Sequence, residues 1–192
     1  MKRIDKSKTV ITVPDASITA PDAWHAPAVV LYGGLYGMEG AWFLNTQQAS
    51  NLLEKAIFVL PKHFTNRCDD CLSELQAEVK ESSISSYSLC GFSRGGVEVY
   101  RYKTLRVWKI LGLIDPTAPT MAEFQDTALD AFKDKIRCVY WVPNWGADGY
   151  KGKVPRFAKH LRDLGVKMLE KATPHQFMPK LFFDTYGTDL LN

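Results

Sequence analysis

One short segment of the sequence has the residue types and spacing that nucleophilic catalysis requires. Gly91-Phe92-Ser93-Arg94-Gly95 has the form G-x-S-x-G, with a β-prone run before it and a helical pattern after it. A serine on such a tight strand-to-helix turn has a strained backbone and an exposed hydroxyl near helix N–H groups. Gly91 and Gly95 leave room where side chains would collide with the neighbouring strand and helix. The pattern predicts a nucleophile elbow with Ser93 as its nucleophile.

A serine hydroxyl is a poor nucleophile near neutral pH, so it needs a base within hydrogen-bond reach and an acid that orients the base. Of the four histidines, His175 follows the last predicted strand in a loop, after Pro174. His25 and His63 fall in other loops, and His160 falls inside a predicted helix. We therefore expect His175 to be the base.

Apolar runs alternate with helical patterns along the chain, and these elements must position the reactive residues. Such alternation predicts an α/β fold, a mostly parallel doubly wound sheet with helices on both faces, in a single domain spanning residues 1–192. Chemistry in such sheets gathers at the carboxyl ends of the strands. The predicted strands are Thr9–Val13 (at an edge), Ala28–Leu31, Ile57–Leu60, Ser86–Phe92, Val107–Ile114, Ile136–Val142 and Val166–Leu169. The predicted helices are Gln47–Lys55, Leu72–Glu81, Val97–Leu105, Thr120–Lys133, Val154–Leu164 (closed by Gly165) and Phe177–Tyr186.

The order of these features along the chain is a glycine-rich turn, a serine, an acid and a histidine. In this order the chain resembles the α/β-hydrolase superfamily of serine esterases and lipases, and the resemblance covers residues 27–186. Because residues 115–136 are predicted to hold one helix and not a cap domain, we expect a compact member of this superfamily without a lid. The segments that carry the resemblance are Val29–Gly34, Gly91–Gly96, Asn144–Asp148 with Val154-Pro155, and Gly165–His175.

Two aspartates are candidates for the acid that orients the histidine. Asp148 follows the penultimate predicted strand, which is the usual acid position in the superfamily. Asp115 ends the strand after the elbow helix, in Leu-Ile-Asp-Pro, and some members take their acid from that strand. An Asp-Pro pair can also simply terminate a strand. Asp148 is the preferred acid and Asp115 the alternative.

The resemblance also implies an oxyanion hole made of two backbone N–H groups. One belongs to Arg94, directly after the nucleophile, and the other to Gly34 or Leu35. Many relatives have histidine before these glycines, where this chain has Tyr32. The Arg94 side chain has two interpretations, as a contact to an anionic substrate group or as a member of a surface ion pair.

Three aromatic residues fall in loops at the predicted active edge, and they are Tyr36, Trp42 and Trp145. They are candidates for an apolar acyl or aromatic pocket. Aromatic packing beneath loops is the alternative interpretation.

Composition narrows the function classes. Of 192 residues, 46% are hydrophobic and 23% charged, and the net charge of +3 is too mild to indicate nucleic acid binding. No run approaches the roughly 18 apolar residues of a membrane span, and the charged N-terminus lacks the apolar stretch of a signal peptide. We therefore expect a cytoplasmic protein. Cys68-Asp69-Asp70-Cys71 is a lone C-x-x-C without the second pair of a zinc site, so neither a metal nor a disulfide is expected.

These observations predict a serine hydrolase that cleaves a small-molecule or polymer-attached ester or thioester through an acyl-enzyme, with no cofactor. Two alternatives remain. One is a non-catalytic binding or structural module that keeps the fold, and the other is an acyltransferase or peptidase on the same scaffold.

Overall fold

The described part of the chain forms a mixed eight-stranded sheet in the order β1-β2-β4-β3-β5-β6-β7-β8. The computed structural model describes residues 1–16, 24–34, 52, 54–117, 127–141 and 153–192. Strands β3 to β8 run parallel to one another, whereas β2 pairs antiparallel with both β1 and β4. The predicted mostly parallel sheet is confirmed. The strands are β1 (Lys2–Asp5), β2 (Thr9–Val13), β3 (Ala26–Tyr32), β4 (Ile57–Pro61), β5 (Ile84–Phe92), β6 (Leu111–Ile114), β7 (Ile136–Trp141) and β8 (Lys167–Lys171).

Helices cover both faces of the sheet, as the doubly wound pattern predicts. Side chains of α1, α2 and α3 belong to one buried cluster, and those of α4 belong to a second cluster on the opposite face. The helices are α1 (Cys68–Gln76), α2 (Gly95–Tyr102), α3 (Lys153–Asp163) and α4 (Met178–Leu191). Short 3-10 segments lie at Glu81–Ser83, Thr127–Lys135 and His175–Phe177.

The central strand β3 shows why these residues form this sheet. All seven of its residues are buried, which is typical of a strand covered on both faces by helices. Successive side chains alternate between the faces, so Ala28 and Val30 pack with the α1–α3 cluster while Val29 and Leu31 pack with the α4 cluster. The β3 segment therefore joins both cores.

The predicted edge strand is an interior strand. Thr9–Val13 is fully buried, because β1 pairs with it along its outer side. The β1 segment, Lys2–Asp5, is largely charged and exposed, which hides its strand character in the sequence and suits a sheet edge.

The predicted strand Val107–Ile114 is regular only from Leu111. Val107 is exposed, and Trp108 is buried with its indole N–H donating to the carbonyl oxygen of Tyr102. The backbone first bonds to β5 at Lys109, whose N–H donates to the Tyr87 carbonyl oxygen. The first four residues of the predicted strand, 107–110, therefore lead into the sheet, and regular strand begins after them.

The remaining predicted strands, and the predicted helices that lie within the described residues, are present with shifted ends. The helix predicted at Leu72–Glu81 begins earlier, at Cys68, where Asp69 and Asp70 suit the positive end of the helix dipole. Gly165 has φ 73° and follows α3, as the predicted helix end requires. The predicted helix Gln47–Lys55 and the first part of Thr120–Lys133 lie largely outside the described residues, and Thr127–Lys135 is 3-10 helix.

Within the described ranges, no helix is both long and apolar enough to span a membrane.

The packing of α4 on the sheet generates a stability prediction. Phe182 is completely buried and its ring makes edge contacts with Phe183 and Tyr186. We expect Phe182→Ala to lower the free energy of unfolding by about 3–5 kcal/mol, because it deletes a buried ring and leaves a cavity. Phe177→Ala, at a half-exposed site on the same segment, should change it by less than about 0.5 kcal/mol. Urea denaturation measures both, and equal losses would contradict the packing described.

Candidate active site

Ser93 lies on the turn between β5 and α2, at the carboxyl edge of the sheet. Its φ is 54°, and its side chain is half-buried. This is the strained backbone that the G-x-S-x-G pattern predicts. Asp115 has φ 42°, and these are the two positive-φ residues other than glycine among the described ranges. Such conformations cost about 1–3 kcal/mol each and cluster at functional sites.

The glycines of the motif allow three backbone segments to approach one another. A Cβ atom at Gly91 would lie 2.1 Å from the carbonyl oxygen of Gly95. A Cβ atom at Gly95 would lie 2.5 Å from the carbonyl oxygen of Gly33 and 2.6 Å from that of Tyr32. The start of α2 therefore lies directly against the end of β3, which brings the Gly33-Gly34 turn beside Ser93.

The turn after β6 is attached to the elbow through its backbone. The N–H of Ser93 donates to the carbonyl oxygen of Ile114 at 2.9 Å, and the N–H of Thr117 donates to the carbonyl oxygen of Ser93 at 3.0 Å. A Cβ atom at Gly96 would lie 2.4 Å from the Cβ atom of Pro116. These contacts fix Asp115, which lies between the two bonded residues, relative to the serine.

His175 follows β8 and begins a 3-10 turn that leads into α4. Its Nδ1 lies 2.5 Å from Oδ2 of Asp115. Its ring also stacks on Phe92, the residue before the serine, with centroids 4.5 Å apart. The Asp115 side chain is completely buried, while that of His175 is 29% exposed. The imidazole is thus held between a buried carboxylate and the elbow.

The pairing with Asp115 determines which ring nitrogen of His175 is available. A carboxylate can only accept hydrogen bonds, so with Asp115 in that form Nδ1 of His175 is the donor across this contact. The neutral imidazole then has its lone pair on Nε2. This is the tautomer that a general base opposite a serine requires.

The structure brings together Ser93, Arg94, Gly34, Asp115 and His175 at one edge of the sheet. The other candidates, Leu35, Tyr36, Trp42, Trp145 and Asp148, lie outside the described residues. The preference for Asp148 as the acid therefore stays a prediction, whereas the carboxylate found on His175 is that of the alternative, Asp115.

The three other histidines have different surroundings. His25 is exposed and directly precedes β3, at the opposite end of the parallel strands from Ser93. His63 is exposed, and its Nδ1 contacts the Thr65 hydroxyl at 2.7 Å. His160 lies within α3, as predicted.

Sequence reasoning missed two residues that support the site. Phe92 supplies the surface on which the His175 ring lies, and its only signal is an aromatic residue before the serine. Phe64, in the loop after β4, lies beneath the Arg94 guanidinium, whose central carbon is 5.6 Å from the ring centroid. No local pattern predicts this contact, because thirty positions separate the two residues.

Tyr32, at the end of β3, is a buried structural residue. Its hydroxyl donates to the carbonyl oxygen of Asn66 at 2.7 Å, and its ring stacks against Tyr102. Burial raises the pKa of its phenol, which therefore stays protonated. Tyr32 thus joins the strand that leads to Gly33-Gly34 to the loop of residues 62–67.

The C-x-x-C cysteines are free thiols in the first turn of α1. Burial raises the pKa of both Cys68 and Cys71 to about 12, so both are protonated at neutral pH. The described residues contain no group of three or more histidine, cysteine or acidic side chains that could hold a metal ion.

No family model matches this chain, and no curated protein matches it. Solved structures do match. A ferulic acid esterase is 12% identical with a TM-score of 0.61, covering 91% of this chain and 90% of its own. An S-formylglutathione hydrolase from Agrobacterium tumefaciens is 14% identical with a TM-score of 0.61, covering 98% and 93%. The fluorophosphonate-binding serine hydrolase F of Staphylococcus aureus, in a substrate-bound structure, is 11% identical with a TM-score of 0.64, covering 100% and 97%.

The close approach at Gly95 generates a second stability prediction. Gly95→Ala places a methyl group against two backbone oxygens, which cannot swing aside, so we expect a loss of about 1–3 kcal/mol or more. Gly187→Ala in α4 is the matched control, because its Cβ would meet only the flexible Leu52 side chain at 3.3 Å. We expect the control to change stability by less than about 1 kcal/mol. Comparison of the urea midpoints tests this, and a tolerated Gly95→Ala would show that the elbow does not pack on β3.

Proposed function

We propose that this chain, which has the α/β-hydrolase fold, is a serine hydrolase that cleaves an ester or thioester through an acyl-enzyme. Ser93 is the nucleophile, His175 the base and Asp115 the acid that orients it. The observation that carries the proposal is the hydrogen bond between Asp115 and His175 beside a positive-φ serine. The structural neighbours include a ferulic acid esterase and an S-formylglutathione hydrolase, and both names are consistent with this chemistry.

Acylation proceeds by attack of the Ser93 hydroxyl oxygen on the substrate carbonyl carbon. Nε2 of His175 takes the hydroxyl proton as the bond forms, and the resulting imidazolium is stabilised by Asp115. When the tetrahedral intermediate collapses, the bond to the leaving group breaks, and Nε2 returns the proton to the leaving oxygen or sulfur. Deacylation repeats these steps with water as the nucleophile, which releases the acid and restores the Ser93 hydroxyl.

The negative charge on the tetrahedral intermediate needs backbone donors that are already in position. Arg94 follows the nucleophile at the start of α2, and its N–H has no acceptor among the residues that the structure describes. The Gly33-Gly34 turn packs against Gly95. The second donor in this proposal is therefore the backbone N–H of Gly34 or that of Leu35, the next residue. One such donor typically contributes about 2.7–4 kcal/mol to lowering the barrier.

The choice of Asp115 over Asp148 rests on contact and on backbone conformation. Asp115 is buried, with its carboxylate on Nδ1 of His175, and its N–H donates to the Val139 carbonyl oxygen. Residues other than glycine rarely adopt positive φ, and a residue before proline favours the extended region. The φ of 42° at Asp115 is therefore contrary to both preferences. Strain of this kind is usual where a side chain must be aimed.

Removal of the nucleophile tests the proposal most directly. We expect Ser93→Ala to abolish both labelling by a fluorophosphonate probe and hydrolysis of para-nitrophenyl esters, because no hydroxyl remains to be phosphonylated or acylated. Its thermal midpoint should stay within a few degrees of the wild type, since only one half-buried oxygen is lost. Ser85→Ala, at an exposed position on β5, is the control and should label normally. Normal ester turnover by Ser93→Ala would remove Ser93 from its role.

The acid assignment is tested by two matched substitutions. Asp115→Asn should lower kcat by about 10⁴-fold, because an amide no longer holds the Nδ1–H tautomer or stabilises the imidazolium. Asp148→Asn should leave kcat within a few-fold of the wild type. Steady-state kinetics on one ester measures both. The opposite pattern would return the role of the acid to Asp148.

A further inference from the structure

In the part of the chain that the structure describes, the Arg94 side chain lies against an aromatic ring and not against a carboxylate. Its guanidinium lies over the Phe64 ring, and within the described residues it makes no hydrogen bond or ion pair. It is half-buried and follows Ser93 directly. Five other arginines each pair with a carboxylate, and they are Arg67 with Asp69, Arg101 with Glu98, Arg106 with Glu81, Arg137 with Asp189 and Arg162 with Glu170. The surface ion pair considered for Arg94 from the sequence is therefore not found among these residues.

The Phe64 ring is a well-anchored support for this guanidinium. It belongs to the loop of residues 62–67, where the Asn66 carbonyl oxygen accepts from Tyr32 and the Asn66 side chain donates to the carbonyl oxygen of Lys8. The Phe64 ring also contacts the His63 ring, with centroids 4.5 Å apart. An arginine stacked on a ring keeps the N–H groups along its edge available, because the ring uses only its face.

The sheet order determines which part of a substrate Arg94 faces. Phe64 follows β4, which lies on one side of the β3–β5 pair. Asp115 follows β6, which lies on the other side of that pair, and the Asp115 carboxylate contacts His175. The leaving group must lie on the histidine side, because His175 protonates it. A substrate group on the Arg94 side therefore belongs to the acyl part.

We propose that the Arg94 guanidinium binds a carboxylate on the acyl part of the substrate, so that the preferred substrates are esters or thioesters of dicarboxylic acids. This inference rests on the proposed function of Ser93. Two parallel N–H groups of arginine match the two oxygens of a carboxylate, a geometry that lysine or a neutral amide does not reproduce. The Phe64 ring holds the guanidinium fork, meaning these two parallel N–H groups, in place before the substrate binds. This lowers the conformational entropy that is lost on binding.

The test compares two esters that differ only at the far end of the acyl chain. Para-nitrophenyl hemiadipate carries a carboxylate where para-nitrophenyl hexanoate carries a methyl group. The readout is the ratio of kcat/KM for the charged ester to that for the neutral ester, corrected for hydrolysis without enzyme. We expect this ratio to exceed one for the wild type and to fall about 10- to 100-fold in Arg94→Gln, the range that a hydrogen-bonded charged group contributes.

Arg67→Gln is the matched control, because it makes the same chemical change on the neighbouring loop, at an arginine already paired with Asp69. Its ratio should equal that of the wild type. If Arg94→Gln does not fold, as judged by its thermal midpoint, Arg94→Lys replaces it and should lower the ratio by a smaller factor, because it keeps the charge but loses the fork.

The outcomes separate the two proposals. Hydrolysis of both esters that depends on Ser93, with the same ratio in the wild type and in both Arg94 variants, would overturn the carboxylate site and leave the proposed function intact. A lower thermal midpoint without a change of ratio would make Arg94 a structural residue and would likewise overturn it. Hydrolysis of neither ester by the folded wild type would overturn the proposed function and this inference together.

Discussion

Two backbone hydrogen bonds to a single residue set the geometry on which the site depends. Ser93 donates to Ile114 and accepts from Thr117, so its peptide groups are bound to the chain on both sides of Asp115. Each bond contributes only about 1 kcal/mol to stability. Their larger effect is geometric, because they hold the backbone of Asp115 in place relative to that of Ser93. Ser93 and Asp115 have positive φ values, a conformation that persists where the surrounding structure holds the backbone, as these bonds do.

The histidine joins this frame from a distant part of the chain. His175 follows the edge strand β8, and two contacts bring its ring to the elbow, the Asp115 carboxylate and the face of Phe92. The carboxylate sets the tautomer, and the aromatic face limits the rotation of the ring about its own side-chain bonds. A buried carboxylate also needs a hydrogen-bond donor, since leaving it unpaired would be costly. One interaction therefore satisfies the buried carboxylate and orients the imidazole.

The sequence predicted those parts of this arrangement whose information is local. The elbow could be predicted because five residues and the two adjoining elements define it, and the steric reason for Gly91 and Gly95 is seen in the backbone atoms that a Cβ would meet. Sequence alone could not choose between Asp115 and Asp148, because both follow predicted strands, and the contact of Asp115 with His175 joins positions sixty residues apart and leaves no local signal. The β1 strand was missed because a charged edge strand has no apolar alternation. The contact of Arg94 with Phe64 joins two loops and leaves no pattern in either.

Tyr32 links the Gly33-Gly34 turn to the loop of residues 62–67, which supports Arg94. Tyr32 directly precedes Gly33-Gly34, and many members of the superfamily that this chain resembles have histidine at this position. In this chain the buried Tyr32 hydroxyl donates to the Asn66 carbonyl oxygen. The same strand end thus contacts Gly95 through its backbone and the loop of residues 62–67 through its side chain. Because Phe64 belongs to that loop, the ring beneath the guanidinium and the Gly33-Gly34 turn beside Ser93 are both attached to the end of β3. An anion held by Arg94 would therefore be bound at a set distance from Ser93, which is the condition for distinguishing acyl groups by where their charge lies.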